Sequence, residues 1–154
     1  MTPAIDVAKE NEISFKVHEY SHDPASESYG GEAAEKLGVP QEQVFKTLVV
    51  SLDGIELAVG IIPVSSRLSL KLIAKALGAK KAAMATQSDV ERATGYVLGG
   101  VSPLGQKKRL RTIIDASAIC NSTVFISAGR RGVDMELTPE DLKTLVRGEF
   151  VNIT

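Results

Sequence analysis

The segment from Val44 to Val64 restricts the fold more than any other part of the chain. Val44–Ser51 alternates as a strand, with Val44, Lys46, Leu48 and Val50 on one face and Phe45, Thr47 and Val49 on the other. Asp53-Gly54 then separates it from a second apolar run, which predicts a two-residue hairpin pairing Val44–Leu52 with Ile55–Ile62. Lys46 is the only charge inside the first run. It is either a guard on an exposed edge or an ammonium turned into a partly desolvated site, and spacing alone leaves both open.

The second constraint is the block Gly95-Tyr96-Val97-Leu98-Gly99-Gly100-Val101-Ser102-Pro103-Leu104-Gly105, which runs into Gln106-Lys107-Lys108-Arg109. Its glycines let backbone approach a ligand closely, and successive N–H groups in such a loop can face an oxygen-rich group. A solvated turn before a basic strand is the plainer reading. A Walker loop is excluded because Gln106 follows Gly105, and a nucleophile elbow because Leu104 stands where glycine is required. Ser102 therefore fits a turn-organising hydroxyl better than a triad nucleophile.

Around these blocks the chain reads as short helices interleaved with strands. Thr2-Pro3 begins a helix with Ala4, Ile5 and Ala8 inward. Ser14–Tyr20 alternates, with Phe15 and Val17 on one side and Lys16, His18 and Tyr20 on the other. Glu32–Leu37 is a helix closed by Gly38, and Ser69–Leu77 one closed by Gly78. Ala82–Thr86 suggests a strand, and Ser88-x-x-Glu91 a capping box before a helix ended by Gly95. Arg109–Ile114, Thr123–Ser127 and Val133–Leu137 follow as strands, the last two joined by a tight turn over Ala128–Gly132. Thr138-Pro139 starts a final helix, and Phe150–Ile153 closes as a strand. One α/β (α+β) domain over residues 1–154, with a mixed sheet curled around one core, is expected.

Charge is segregated. Residues 1–60 hold 4 Lys/Arg against 11 Asp/Glu, residues 61–131 hold 12 against 3, and residues 132–154 hold 2 against 5. If the fold gathers the basic middle on one face, a polyanion can dock despite the formal net charge of −1. Trp is absent and aromatic content is 5%, which disfavours a base-stacking platform. A single cysteine, Cys120, rules out an internal disulfide, and His18 and His22 have no third ligand spaced with them, so no metal is expected. No secretory signal or membrane span is read, and a cytoplasmic protein without cofactor is expected.

Three blocks in order, Phe45-Lys46-Thr47-Leu48, Thr94 to Gly105, and Ser127-Ala128-Gly129-Arg130-Arg131-Gly132 with Asp134, resemble the bacterial YbaK/EbsC proteins. Those are free-standing relatives of the prolyl-tRNA synthetase editing domain. The opening Met1–Ala4 and the segment Asp23–Gly38 are similar too, so the likeness spans the chain. It implies a twisted mixed sheet close to a barrel and deacylation of mischarged Cys-tRNA(Pro), with the substrate's own thiol attacking its ester. It implies catalytic roles for Lys46, Gly99 and Tyr20, and a substrate pocket including Thr47, Tyr29, Gly100, Ser102, Ser127 and Asp134. Lys107, Lys108, Arg109, Arg130 and Arg131 would meet tRNA, and prolyl-tRNA synthetase is the implied transient partner. Tyr29 stands where relatives often carry Phe, and Ala128 where glycine is common. Two alternatives remain: a deacylase for another small amino acid such as alanine, and a non-catalytic module that binds tRNA or a synthetase.

Overall fold

β2 (Phe45–Leu52) and β3 (Glu56–Pro63) pair antiparallel, from Phe45↔Pro63 to Leu52↔Glu56. The structure is a computed structural model that describes residues 1–26 and 29–154, without the side chain of Tyr29. The connection is one residue longer than the expected Asp53-Gly54 turn. Ile55 belongs to it, is 89% exposed, and donates its N–H to the Leu52 carbonyl at 2.9 Å. Asp53 and Gly54 both take positive φ, 54° and 68°. Burial explains the extra residue. In the observed register Val59 and Ile61 face the core beside Val49 and Thr47, whereas a slip of one would set them opposite Leu48 and Lys46 on the other face.

β4 (Ala82–Met84) pairs antiparallel with β2, but only along Val50–Leu52. On the other side, β3 pairs parallel with β5 (Arg111–Asp115), and β5 pairs parallel with β8 (Glu149–Val151). The five strands run β4-β2-β3-β5-β8. A separate antiparallel sheet runs β1-β7-β6, from Lys16–Glu19, Val133–Leu137 and Val124–Arg130. Among the described residues one isolated parallel bridge, Val44↔Phe125, joins the two sheets. The expected curled, mixed sheet is thus built as two sheets. Val49, Val59, Ile61, Ile114, Ile126 and Met135 form the core between them.

Helix α1 (Pro3–Glu10) starts at Thr2, whose hydroxyl accepts the Ile5 N–H at 3.2 Å, and buries Ala4, Ile5 and Ala8. Helix α2 (Tyr29–Leu37) begins three residues before the expected Glu32. Helix α3 (Leu70–Ala76), capped by Ser69, covers the outer face of the five-stranded sheet by way of Ile73. Helix α4 (Gln87–Thr94) corrects the expected capping box. Its cap is Thr86, whose hydroxyl accepts the Asp89 N–H, while Glu91 accepts the Leu98 N–H. The preceding Ala85 N–H is tied to the Val49 carbonyl at 3.1 Å, so the chain leaves the sheet with Thr86 already extended for capping. Helix α5 (Pro139–Val146) follows its Thr138 cap as expected.

Strand β1 alternates as expected, but burial does not follow one face. Phe15 packs on the core while Val17 is 40% exposed, and Lys16 is exposed while His18 packs on the Phe125 ring and meets Glu136 Oε1 at 2.9 Å. Neither does the tight turn cover Ala128–Gly132. β6 continues to Arg130, and the register jumps from Ser127↔Asp134 to Arg130↔Val133, leaving Ala128 and Gly129 as a bulge.

Gly105 ties the glycine block to α1. Its φ is +68°, and a Cβ there would lie 2.7 Å from both the Pro3 carbonyl carbon and oxygen. Gly105→Ala is expected to cost about 2–3 kcal/mol in urea unfolding, from left-handed backbone plus overpacking. Gly54→Ala shares a φ of +68° but meets nothing within 4 Å, so it is expected to cost only about 1 kcal/mol. Equal losses at the two positions would mean that the approach to Pro3 is not tight.

Candidate active site

Among the described residues the outer edge of β2 is covered at its two ends and open between them. Val44 reaches β6 at one end, and the Val49 carbonyl takes the Ala85 N–H at the other. Because the Val44 carbonyl faces β3, accepting the Val64 N–H at 2.8 Å, strand alternation turns the Thr47 peptide groups toward the open side. A cavity of about 410 Å³ fills this gap, within the range usual for small-ligand sites. Phe45–Val49 form one wall, and Ser127, Arg130, Arg131 and Asp134 of the β6–β7 hairpin form the wall facing it. Tyr20, just past β1, and Gly99, in the glycine block, complete the polar lining. Met84, Leu98, Val101 and Val64 supply apolar surface.

The glycine block is held by its own side chains. Gly95 closes α4 in the left-handed conformation at φ 80°. The buried Tyr96 donates its hydroxyl to the Leu104 carbonyl at 2.6 Å, cinching the loop. A Cβ on Gly100 would lie 3.0 Å from Arg130 Cα and 3.1 Å from the Arg131 nitrogen, so backbone rests on backbone here. That close approach sets Gly99 beside the hairpin residues. Gly100 and Ser102, expected in the substrate pocket, do not line the cavity. Ser102 is fully buried, and its hydroxyl accepts the Leu104 N–H at 3.2 Å. Both residues shape the wall from behind.

The polar lining is only partly satisfied by protein partners. Thr47 Oγ1 is buried and has no hydrogen-bond partner among the described residues. Asp134 is 6% exposed, and burial pushes its carboxyl from 3.8 up to about 7. Burial, with smaller contributions from the Asp134 and Glu32 carboxylates, pushes the Tyr20 phenol up to about 12. Ser127 Oγ accepts the Gly129 N–H at 3.1 Å. Lys46 is half-buried and lines the cavity, so it is not merely a solvated edge charge.

Arg131 is held from behind by Glu32, which the sequence reading passed over. Glu32 Oε1 lies 3.6 Å from Arg131 Nη2 and 3.2 Å from His22 Nδ1. The Asp23 N–H donates to the same carboxylate at 2.8 Å, and Lys36 Nζ stands 3.9 Å away. Arg131 also donates to the Ser26 carbonyl at 3.1 Å. Only the fold brings α2, the segment after β1 and the hairpin together, so no local spacing signals this cluster. Lys107, Lys108 and Arg109 are exposed and do not line the cavity. The backbone N–H groups of Lys107 and Lys108 donate to Thr94 and Ala93 at the end of α4. The Tyr29 side chain lies outside the described residues. Neither Cys120 nor either histidine lines the cavity.

Residues 23–145 match the family model of the aminoacyl-tRNA editing domain. The chain belongs to that family. Among its relatives is an Enterococcus faecalis (strain ATCC 700802 / V583) protein provisionally named Cys-tRNA(Pro)/Cys-tRNA(Cys) deacylase EbsC. It is 37% identical over 155 residues, covering 99% of this chain and 93% of that one. A proline–tRNA ligase of Shouchella clausii (strain KSM-K16) is 32% identical over 128 residues, 77% of this chain but only 22% of the ligase. Among solved structures, a proposed trans-editing enzyme for prolyl tRNA synthetase superposes with a TM-score of 0.85 at 23% identity, covering 100% and 98% of the two chains. The hypothetical protein APE2540 gives 0.88 at 21% identity, with 99% of each chain covered. At these identities the two structures speak to fold, and they share this architecture.

Proposed function

We propose that the chain is a trans-editing deacylase that removes cysteine from mischarged Cys-tRNA(Pro), acting in the cavity along the open edge of β2. The observation that carries this reading is the meeting of Lys46 and Gly99, far apart in sequence, in one cavity with Asp134 and Tyr20. The need for such an enzyme is energetic. A pocket discriminates by only about 1–3 kcal/mol per methylene, so a synthetase site built for proline admits cysteine and a second sieve must remove it.

Among the described residues no lining residue forms a conventional nucleophile–base pair. Ser127 is the only serine in the lining among the described residues, its hydroxyl accepts a backbone N–H, and no described histidine shares the cavity with it. The cysteinyl sulfur then serves as nucleophile. Its S–C bond to the ester carbonyl forms, the C–O bond to the terminal ribose breaks, and the thiol proton passes to the departing ribose oxygen. The β-thiolactone released is opened by water to free cysteine. In this reading the protein orients the aminoacyl end, a contribution that reaches about 7–11 kcal/mol in favourable cases. The Gly99 N–H and the unpartnered Thr47 hydroxyl stabilise the developing oxyanion. Lys46 holds the ribose–phosphate end, and Tyr20 and Asp134 face the amino acid. Arg130, Arg131, Lys107, Lys108 and Arg109 meet the RNA. A transient complex with prolyl-tRNA synthetase in the cytoplasm supplies tRNA identity, which a domain without an RNA-reading module does not.

A panel of Cys-tRNA(Pro), Ala-tRNA(Pro), Cys-tRNA(Cys) and Pro-tRNA(Pro), followed by loss of the labelled amino acid, tests the assignment. Cysteine is expected to leave tRNA(Pro) while proline stays. Lys46→Ala is expected to lower kcat/KM about 100-fold, the scale of losing one preorganised electrostatic contact. Preferential release of alanine would reassign the substrate, and tRNA binding with every ester left intact would mean a non-catalytic module.

A further inference from the structure

We infer that Arg67, Lys71, Lys75, Lys80 and Lys81 form a basic ledge that binds the phosphate backbone of the duplex stem leading to the RNA end held in the cavity. The inference rests on the editing reading for what the cavity holds, and on the surface itself for the ledge.

All five side chains are exposed. α3 turns Ile73 and Ala74 onto the sheet, so Lys71 and Lys75 stand on its outer side, about 6 Å apart along the axis. The Ala79 N–H returns to the Ala74 carbonyl at 2.8 Å, which brings Lys80 and Lys81 in at the end of the helix. No Asp or Glu occurs between Glu56 and Asp89 in the sequence. Among the described residues no ion pair involves any of the five cations. The acid beside them, Asp53, is engaged with backbone, accepting the Lys80 and Lys81 N–H groups at 3.2 and 2.8 Å. Its charge offsets one cation and leaves a clear positive excess.

Along the chain, both ends of the ledge lie three residues from the cavity wall. Val64, in the cavity wall, precedes Arg67 by three residues, and Met84, also in the wall, follows Lys81 by three. Lys46 shares its strand face with Leu48, which packs in the cluster under α3. Lys46 and the α3 lysines are thus linked through the same face of β2. A polyanion with one end in the cavity and a rigid, regularly charged body outside fits this layout. Such a body gains affinity by counterion release, without any reading of its sequence.

The test compares the wild-type chain with Lys71→Glu/Lys75→Glu and Lys80→Glu/Lys81→Glu. Fluorescence anisotropy would follow binding of uncharged tRNA(Pro) and of a single-stranded CCA oligonucleotide across a salt series. Each double variant is expected to bind tRNA about tenfold more weakly, with a salt slope shallower by about 2, and to bind the oligonucleotide unchanged. Turnover of a cysteinyl-CCA fragment, too short to reach the ledge, is expected to stay at the wild-type rate. Unchanged tRNA affinity and slope would overturn the ledge, as would equal losses on tRNA and oligonucleotide. Loss of synthetase binding with tRNA binding intact would also overturn it, making the surface a protein interface. Should the wild-type chain cleave no aminoacyl ester, the editing reading falls while the two binding arms still decide the ledge.

Discussion

A tRNA(Pro) carrying S-methylcysteine is expected to keep its amino acid, with release at least about 1,000-fold slower than from Cys-tRNA(Pro). That loss corresponds to roughly 4 kcal/mol or more of the barrier. Methylation adds one carbon, which a site of about 410 Å³ accommodates. It removes the sulfur's ability to form a neutral S–C bond to the carbonyl, and with it the only nucleophile that the proposed step uses. The control is binding: an S-methyl substrate that competes with Cys-tRNA(Pro) at comparable concentration shows that the block is chemical rather than steric. Release at an undiminished rate would require a water nucleophile instead. The cavity would then need a base, and Asp134, with its carboxyl near 7, would be the group to examine.

Asp134→Asn is expected to make the fold more stable at pH 8 while lowering activity. Burial raises the folded-state carboxyl from 3.8 to about 7. Well below pH 3.8 the group is neutral in both states and affects nothing. As pH rises from there to 7, the unfolded chain gives up the proton while the folded one retains it, so stability falls. Above 7 the carboxylate is charged in both states, and the folded chain bears the full desolvation cost, on the order of 2–4 kcal/mol. Asparagine keeps the shape without that cost. Thermal unfolding is expected to show the variant melting several degrees higher at pH 8, with the difference nearly gone at pH 4. A variant that melts lower at pH 8 would show that the carboxylate is well paired in the folded state. The combination of greater stability and weaker activity is what a buried group kept for substrate contact predicts.

Local signals carried much of the architecture. Thr2-Pro3 and Thr138-Pro139 are chain-local caps, and the structure uses both as read. Gly38, Gly78 and Gly95 close helices because a residue without Cβ adopts positive φ at little cost. Where two local signals competed, tertiary packing chose. Ser88 and Thr86 can each cap α4, and the Ala85–Val49 hydrogen bond settled it in favour of Thr86. The hairpin register was likewise set by which face of β3 needed burial, not by Asp53-Gly54.

In the site, Lys46 and the glycine block stood out by type and spacing, because a lone charge in an apolar strand and clustered glycines are visible in one dimension. Their role was not visible there: Lys46 could equally have guarded an edge. Depth is a property of three-dimensional packing, so nothing along the chain distinguished Ser102, sealed behind the wall, from Ser127, which lines it. The elevated carboxyl of Asp134 and the hold of Glu32 on Arg131 come from desolvation and from neighbours distant in sequence. The amino-acid order by itself thus determined most of the elements, the caps at Thr2 and Thr138, and the candidate chemistry. Tertiary structure alone decided which of those groups share one cavity, because burial and proximity between remote residues exist only once the two sheets have closed on each other.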